Sequence, residues 1–397
     1  VNLDFFRPRE KFLILEITPK GTNGLFLSVD EGRNVVTEKF VRQDNPKKFL
    51  RTPARRVSET TWEGKHLFRS RRRVVAVADA ALATTIPIPL ALPRERANAK
   101  TKITIAELEN LIAQAMAKIF NGCRSEAAKR FGADELNAVL VGAHAKHFMV
   151  DGKTHTSPVG ATGKKISLLL ELTFTTRAIF EDLKPLFNSP EGFFFREAPQ
   201  THLRALARMR PLPLNVIAAD GEGASLYVLE RPKGNYAVLY REKLDWSFSS
   251  LIKKVAEALA VTEAAAQELY CRYHQKAMSA HAARAFKRIV ESPLRDFLET
   301  IEKRRIKGAT YVEMPHALPF TLPHKHGKAT LAEYPVEELM EKFGFNLSLA
   351  ARGKVREEGE GERAILRSLF YFVEAYIDED RSLINQKLRR RLHWLAE

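Results

Sequence analysis

The sequence predicts a mixed α/β (α+β) protein of two lobes, and three observations carry that reading. Strand-like and helix-like segments alternate along the chain. Each half opens on a strand–turn–strand unit: LILEI (Leu13–Ile17), TPKGTN and GLFLSVD (Gly24–Asp30) in the first, and NVIAADGEGASLYVLE (Asn215–Glu230) in the second. A length of 397 residues exceeds that of a usual single domain, so two or three domains are expected.

The elements follow in order. After the first hairpin comes a basic segment, then VVAVADA (Val74–Ala80), a buried strand. Pro87, Pro89 and Pro93 in IPIPLALP mark an edge or a linker, because proline cannot donate to a ladder. Thr104 and Glu107 form a T-x-x-E capping box. Ile105, Leu108, Leu111, Ile112, Ala115, Met116 and Ile119 then recur at helical spacing, predicting an amphipathic helix over 105–120. NAVLVGA (Asn137–Ala143), KISLLLELTF (Lys165–Phe174) and a helix RAIFEDLKPLF (Arg177–Phe187) complete the first half. In the second, YAVLYREKL is followed by a helical block from Ser249 to about Val290 and a strand ATYVEM (Ala309–Met314). Helices over Glu362–Ile377 and Arg381–Leu395 close the chain.

Composition excludes several classes. No run reaches the roughly 18 apolar residues that cross a bilayer, and the first residues show no secretory pattern, so a cytoplasmic protein is expected. The two cysteines, Cys123 and Cys271, fit a reducing compartment. The net charge of +16 favours an anionic partner. Between Arg42 and Arg73 stand 11 Lys/Arg against 3 Asp/Glu, a net of +8 that ends in FRSRRR. This is read as a solvated basic loop, with an anion-binding patch as the alternative.

Motifs of active chemistry fail on inspection. GATGKK (Gly160–Lys165) would need glycine where Pro158 stands and Ser/Thr where Lys165 stands, so it is a polar turn rather than a phosphate loop. His144 and His147 fall on opposite faces of a strand, and His324 and His326 lack a third ligand nearby. No metal site is assigned. Neither a G-x-S-x-G elbow nor a Cys-centred nucleophile signature occurs, and no catalytic residue is assigned. The terminal segment RSLINQKLRRRLHWLAE is amphipathic. Leu383, Ile384, Leu388, Leu392, Trp394 and Leu395 spread over about half its circumference, with Arg389, Arg390 and His393 on the other side and Lys387 and Arg391 between. That pattern suits a helix lying in a membrane interface, or a terminal helix docked on its own domain.

Taken in order, these pieces resemble FtsA, the actin-like protein that links the bacterial division ring to the membrane. The most specific match is Ala138–Phe187, where SPVGATG (Ser157–Gly163) is similar to an N-P-V-G-x-x-G turn between two family strands. VVAVADAALATT with KITIAELENLIAQA looks like the entry to an inserted subdomain, and VTEAAAQELYCRY (Val261–Tyr273) like the helix after the second phosphate turn. The resemblance implies a two-lobed actin-like fold of ribonuclease H-like halves with a small FtsA-type subdomain. It divides the chain into a first lobe (1–81 and 165–215), the subdomain (82–164), a second lobe (216–361), a helix returning to the first lobe (362–380) and a basic tail (381–397).

The resemblance also places a nucleotide site, and this chain departs from it three times. The first turn, D-I-G-T in the family, reads Glu16-Ile17-Thr18-Pro19 with a longer hairpin through Gly21 and Gly24. The second, D-I-G-G-G-T-x-D, falls on Ala219–Leu226. Gly221, Gly223 and Ser225 persist, both Asp positions become apolar, and Glu222 adds a negative charge. The third, a strand ending in Gly-Gly, has Glu313 and Met314. Because phosphoryl transfer depends on Mg²⁺ bridging and charge neutralisation, the expectation is an inert scaffold with weak ATP/Mg binding at Glu16, Gly21, Gly221, Gly223 and Ser225.

Further implications are self-association into filaments and a basic surface for the acidic C-terminal tail of FtsZ, with Arg284, Lys287, Arg288 and Arg295 as candidates. Peripheral attachment to the inner face of the cell membrane would use Leu388, Arg389, Arg390, Arg391, Leu392, Trp394 and Leu395. Two rival classes stand beside this one. A PilM-like pilus scaffold shares the fold. A nucleic-acid-binding protein would explain the charge, but the chain has no recognition helix or aromatic RNA-binding motif.

Overall fold

The computed structural model describes residues 10–19, 21–43, 72–95, 98–187, 193–219, 223–231, 238–314, 318, 322–348, 360–377 and 383–392. The chain divides into two compact units, one holding residues 1–205 and 336–397 and the other 206–335.

The first unit begins with β1 (Glu10–Thr18), β2 (Gly21–Val29), β3 (Asn34–Gln43) and β4 (Arg72–Ala78). An insertion follows, made of β5 (Ala83–Pro93), α1 (Ile105–Phe131), β6 (Ala138–Val150), β7 (Lys153–Thr154) and β8 (Lys165–Thr176). Next come α2 (Arg177–Phe187), β9 (Phe193–Glu197) and α3 (Ala198–Ala207). The second unit holds β10 (Leu214–Ala219), β11 (Ala224–Glu230), β12 (Val238–Leu244), α4 (Phe248–Leu259), α5 (Glu263–His274), α6 (Ala280–Lys303), β13 (Gly308–Glu313), β14 (His324–His326) and β15 (Ala329–Ala332). The chain ends with α7 (Val336–Lys342), β16 (Asn346–Ser348), α8 (Glu360–Ile377) and α9 (Leu383–Leu392), all back in the first unit.

The two large sheets share one plan. In the first, ordered β16-β3-β2-β1-β4-β9, the strands β1 to β3 run antiparallel and β4 and β9 continue parallel to β1. In the second, ordered β12-β11-β10-β13-β15-β14, β10 to β12 are antiparallel and β13 and β15 run parallel to β10. Strand alternation splits β1 between two layers. Leu13, Leu15 and Ile17 pack with Ile179 and Leu183 of α2. Phe12 points the other way and meets Phe372 of α8 edge-on, with ring centroids 5.0 Å apart.

The insertion is a separate layer. Its sheet runs β5-β8-β6-β7, and Leu108, Ile112 and Met116 of α1 cover one face over Leu168, Leu170, Leu172 and Phe174. Thr104 caps α1 by accepting the Glu107 amide, and Gly132 ends it in the left-handed conformation at φ 62°. The Glu107 carboxylate does not close the capping box. It forms a bidentate pair with buried Arg94 instead, and that hydrogen bond lowers its pKa. Arg94 also donates to the Gly163 carbonyl at 2.8 Å, tying the SPVGATG turn to the layer. A Cβ at Gly163 would lie 2.4 Å from Val150 Cγ1, so the turn is packed to glycine's dimensions.

Several boundaries differ from the sequence expectation. The first hairpin is tighter, because β2 starts at Gly21 rather than Gly24. The edge read from Pro87, Pro89 and Pro93 is β5, and α1 runs on to Phe131. The second helical block is three helices, broken at Ala260 and Gln275. β8, assigned by sequence to the first lobe, is central to the inserted sheet. The return to the first unit comes at Val336 rather than 362, because β16 pairs with β3 and α7 packs beside α8.

Candidate functional site

The positions assigned to nucleotide can be built one unit at a time. In the first, the pairing of β1 with β2 closes at Thr18 opposite Gly21. The Thr18 hydroxyl accepts the Gly21 amide at 3.2 Å and donates to the Gly21 carbonyl at 3.0 Å. The backbone donor that a phosphate would need is therefore engaged within the turn.

Glu16 stands two residues before that turn and is 3% exposed. A buried carboxylate is costly unless paired and hydrogen-bonded, and this one is both. Arg367 of α8 donates to it through Nε at 2.5 Å and through a terminal nitrogen at 3.1 Å. Asn23, its cross-strand neighbour, donates at 2.7 Å, and the Tyr371 hydroxyl lies at 3.4 Å. Tyr371 is itself stacked on His202 of α3, with centroids 4.7 Å apart. Sequence reasoning singled out Glu16 but missed Arg367. The partner lies 351 residues away, and only the helical phase of α8, which turns Arg367 and Tyr371 to one side, hints at it.

In the second unit β10 and β11 remain paired as far as Ala219 and Ala224. Ala219 and Leu226, the two positions that hold Asp in the resembled family, are 8% and 4% exposed and belong to the core under α4 and α6. Ser225 is on the opposite face, with Oγ 3.4 Å from Arg241 Nε. Gly223 leads directly into β11. Asp220, Gly221 and Glu222 lie outside the described residues. At the end of β13, Glu313 accepts from the Tyr334 hydroxyl at 3.4 Å, and Met314 packs against the core.

These residues do not fit Mg-ATP. The first carboxylate is neutralised by an internal arginine and the other two acidic positions are hydrocarbon. Among the described residues no group of three His, Cys, Asp or Glu side chains could hold a metal ion.

The other candidates divide. Arg284, Lys287, Arg288 and Arg295 are all exposed on α6 and span about 100° of its circumference. Glu291 lies within the same stripe, and Arg284 Nε also donates to the Ala280 carbonyl at 3.2 Å. Of the tail residues, Leu388 is 1% exposed and sits with Ile384 in the core of the inserted layer. A lipid-bound tail would require α9 to leave that core. Arg389, Arg390, Arg391 and Leu392 lie in α9, and Trp394 and Leu395 are outside the described residues. Of the basic segment 42–73, Arg42 and Gln43 end β3, Arg72 opens β4, and the next residue is Arg73. It is 7% exposed, 3.5 Å from Glu10 and placed over the Phe12 ring.

Two sheets of one order, each a three-stranded antiparallel meander extended by two parallel strands, decide the architecture. This is an actin-like ATPase fold. No family model matches the chain, and no curated protein matches it. Among solved structures it is similar to a PilM–PilN type IV pilus biogenesis complex, at 16% identity over 93% of this chain and 99% of that one, with a TM-score of 0.49. It is also similar to a Bacteroides thetaiotaomicron protein with actin-like ATPase fold and unknown function, at 9% identity over 92% and 98%, TM-score 0.33. The ethanolamine utilization protein EutJ from Carboxydothermus hydrogenoformans follows, at 10% identity over 86% and 92%, TM-score 0.33. No described helix of the actin-like chain is long and apolar enough to cross a membrane.

Proposed function

We propose that this chain is a non-hydrolysing actin-like scaffold that organises a membrane-linked protein assembly. The observation that carries the reading is the Glu16–Arg367 pair. Both oxygens of this carboxylate accept from a guanidinium within its own unit, so a metal ion would have to displace that pair to bind. Isothermal titration of Mg-ATP into the full chain tests this: weak or absent binding is expected, and tight Mg²⁺-dependent binding overturns it.

Within that class we favour the FtsA-like role, a tether between the FtsZ ring and the cytoplasmic face of the membrane. Its support is the SPVGATG turn in the inserted layer and the exposed basic stripe on α6, whose charge suits the acidic FtsZ tail. A second reading, a PilM-like pilus scaffold, is favoured by the burial of Leu388, which commits the apolar face of α9 to the protein rather than to lipid. Co-sedimentation with anionic vesicles, with and without FtsZ, separates the two. FtsZ-dependent recruitment that is lost on reversing Arg284 and Arg288 to Glu supports the tether, and no recruitment under any condition removes it.

A further inference from the structure

The inserted sheet has two outer edges, and they are protected by different devices. On β5, Pro87, Pro89 and Pro93 occupy alternate positions opposite Glu171, Leu169 and Lys165 of β8. Their nitrogens face outward and carry no hydrogen, so another strand finds no donor there. The β6 edge has no proline over Ala138–Val150. β7 pairs only with Met149 and Val150. Upstream of them, no described strand pairs with the outer side of β6, although its inner pairing with β8 runs unbroken from Gly142 to Lys146.

What covers this edge is α9. The Asn385 side chain accepts the Ala145 amide at 2.8 Å and donates to the Ala145 carbonyl at 2.9 Å. These are the two bonds that the backbone of a neighbouring antiparallel strand would make. Ile384 and Leu388 enter the core alongside, and Lys387 reaches Glu109 of α1 at 2.9 Å. Leu383, by contrast, is 55% exposed. Among the described residues the docking includes two apolar side chains, one carboxamide and one ion pair.

We propose that α9 is an intramolecular cap that holds β6 back from pairing with β6 of a second copy of this chain. Strand alternation turns the backbone of Ala143 outward with that of Ala145. An antiparallel approach about a two-fold axis sets Ala143 of each copy opposite Ala145 of the other, an isologous and self-complementary match. Release of α9 and dimerisation through β6 are then mutually exclusive with the docked state, which makes the tail a switch on self-association.

Sedimentation velocity on the full chain and on Asn385→Asp tests the proposal. The substitution sets a carboxylate oxygen against the Ala145 carbonyl. It should speed hydrogen exchange at the Ala145 amide and lower the monomer–dimer midpoint about tenfold, a change of about 1.4 kcal/mol. Adding Ala145→Pro, which copies the device on β5, should return the midpoint to that of the unaltered chain. A chain ending at Ser382 should dimerise like Asn385→Asp, and it serves where the substitution leaves α9 docked. The proposal fails if neither variant shifts the midpoint, or if the dimer persists with Ala145→Pro. It fails too if Asn385→Asp dimerises but the shortened chain does not, because α9 itself would then be exchanged between copies.

Discussion

Replacing Arg367 by Met removes the charge opposite Glu16 and keeps much of the side-chain bulk. Breaking a buried ion pair at one partner costs about 3–5 kcal/mol, because the remaining charge stays in a poor solvent. Two features of the site place this case near the lower bound. The Arg367 side chain is 24% exposed, so water partly screens the pair. Asn23, at 2.7 Å, and Tyr371, at 3.4 Å, continue to solvate the carboxylate. A loss of about 3 kcal/mol is expected, with Glu16→Gln costing about 1–2 kcal/mol. The double variant should cost less than the two single losses together, with a coupling of about 1–2 kcal/mol. Because two units need not unfold together, the measurement is hydrogen exchange on peptides from β1 and α8, which reports the first unit alone. A coupling below about 0.5 kcal/mol, or unchanged protection of β1 in Arg367→Met, would refute the claim that this pair holds α8 on the sheet.

Two more changes test the inserted layer. Gly163→Ala drives a methyl into Val150 Cγ1 at 2.4 Å and should cost about 1–3 kcal/mol, read as a lower midpoint in thermal denaturation. Glu171 is buried, which pushes its carboxyl up, but Arg204, Lys146 at 2.9 Å and His144 outweigh that and hold it at about 2. A lowered folded pKa stabilises above the unfolded value near 4.5, and that contribution, about 3 kcal/mol, is lost as pH falls toward 2. Glu171→Gln should flatten this part of the acid stability profile, and an unchanged slope between pH 4.5 and 2 would contradict the assignment.

Local patterns were readable where the chemistry is local. The Thr104 cap, the amphipathic face of α1 and the hairpin at Ala219–Ala224 follow from spacing alone, because helix period and strand pairing are set by neighbours in sequence. The prolines of β5 announced an edge for the same reason. β3 escaped because NVVTEKFVRQ buries only Val35 and Thr37 and has a bulge in its pairing to β2, so its alternation slips partway along. The site was legible only on one side. Glu16 stood out where the resembled family keeps Asp, but nothing near it in sequence signals that its charge is answered by Arg367. The tail was harder still. Ile384 and Leu388 read equally well as a lipid face and as a core face, since both solvents select the same side chains, and their burial and the Asn385–Ala145 bonds show which is occupied.

An acidic residue at the end of β1 serves a nucleotide only while its charge remains available to a metal ion. Here the charge is answered from within the unit, by a helix whose Phe370, Tyr371 and Phe372 are fully buried. The pair therefore sits at one end of an aromatic contact that joins α8 to β1 through Phe12 and Phe372. In the second unit, Ala219 and Leu226, the positions that hold Asp in the resembled family, are committed to core packing. Each hairpin thus departs from the resembled pattern within its own unit, the first by engaging the Gly21 amide and the second by burying Ala219 and Leu226. The Glu16–Arg367 pair holds α8 against β1, which is what the proposed scaffold would require of it.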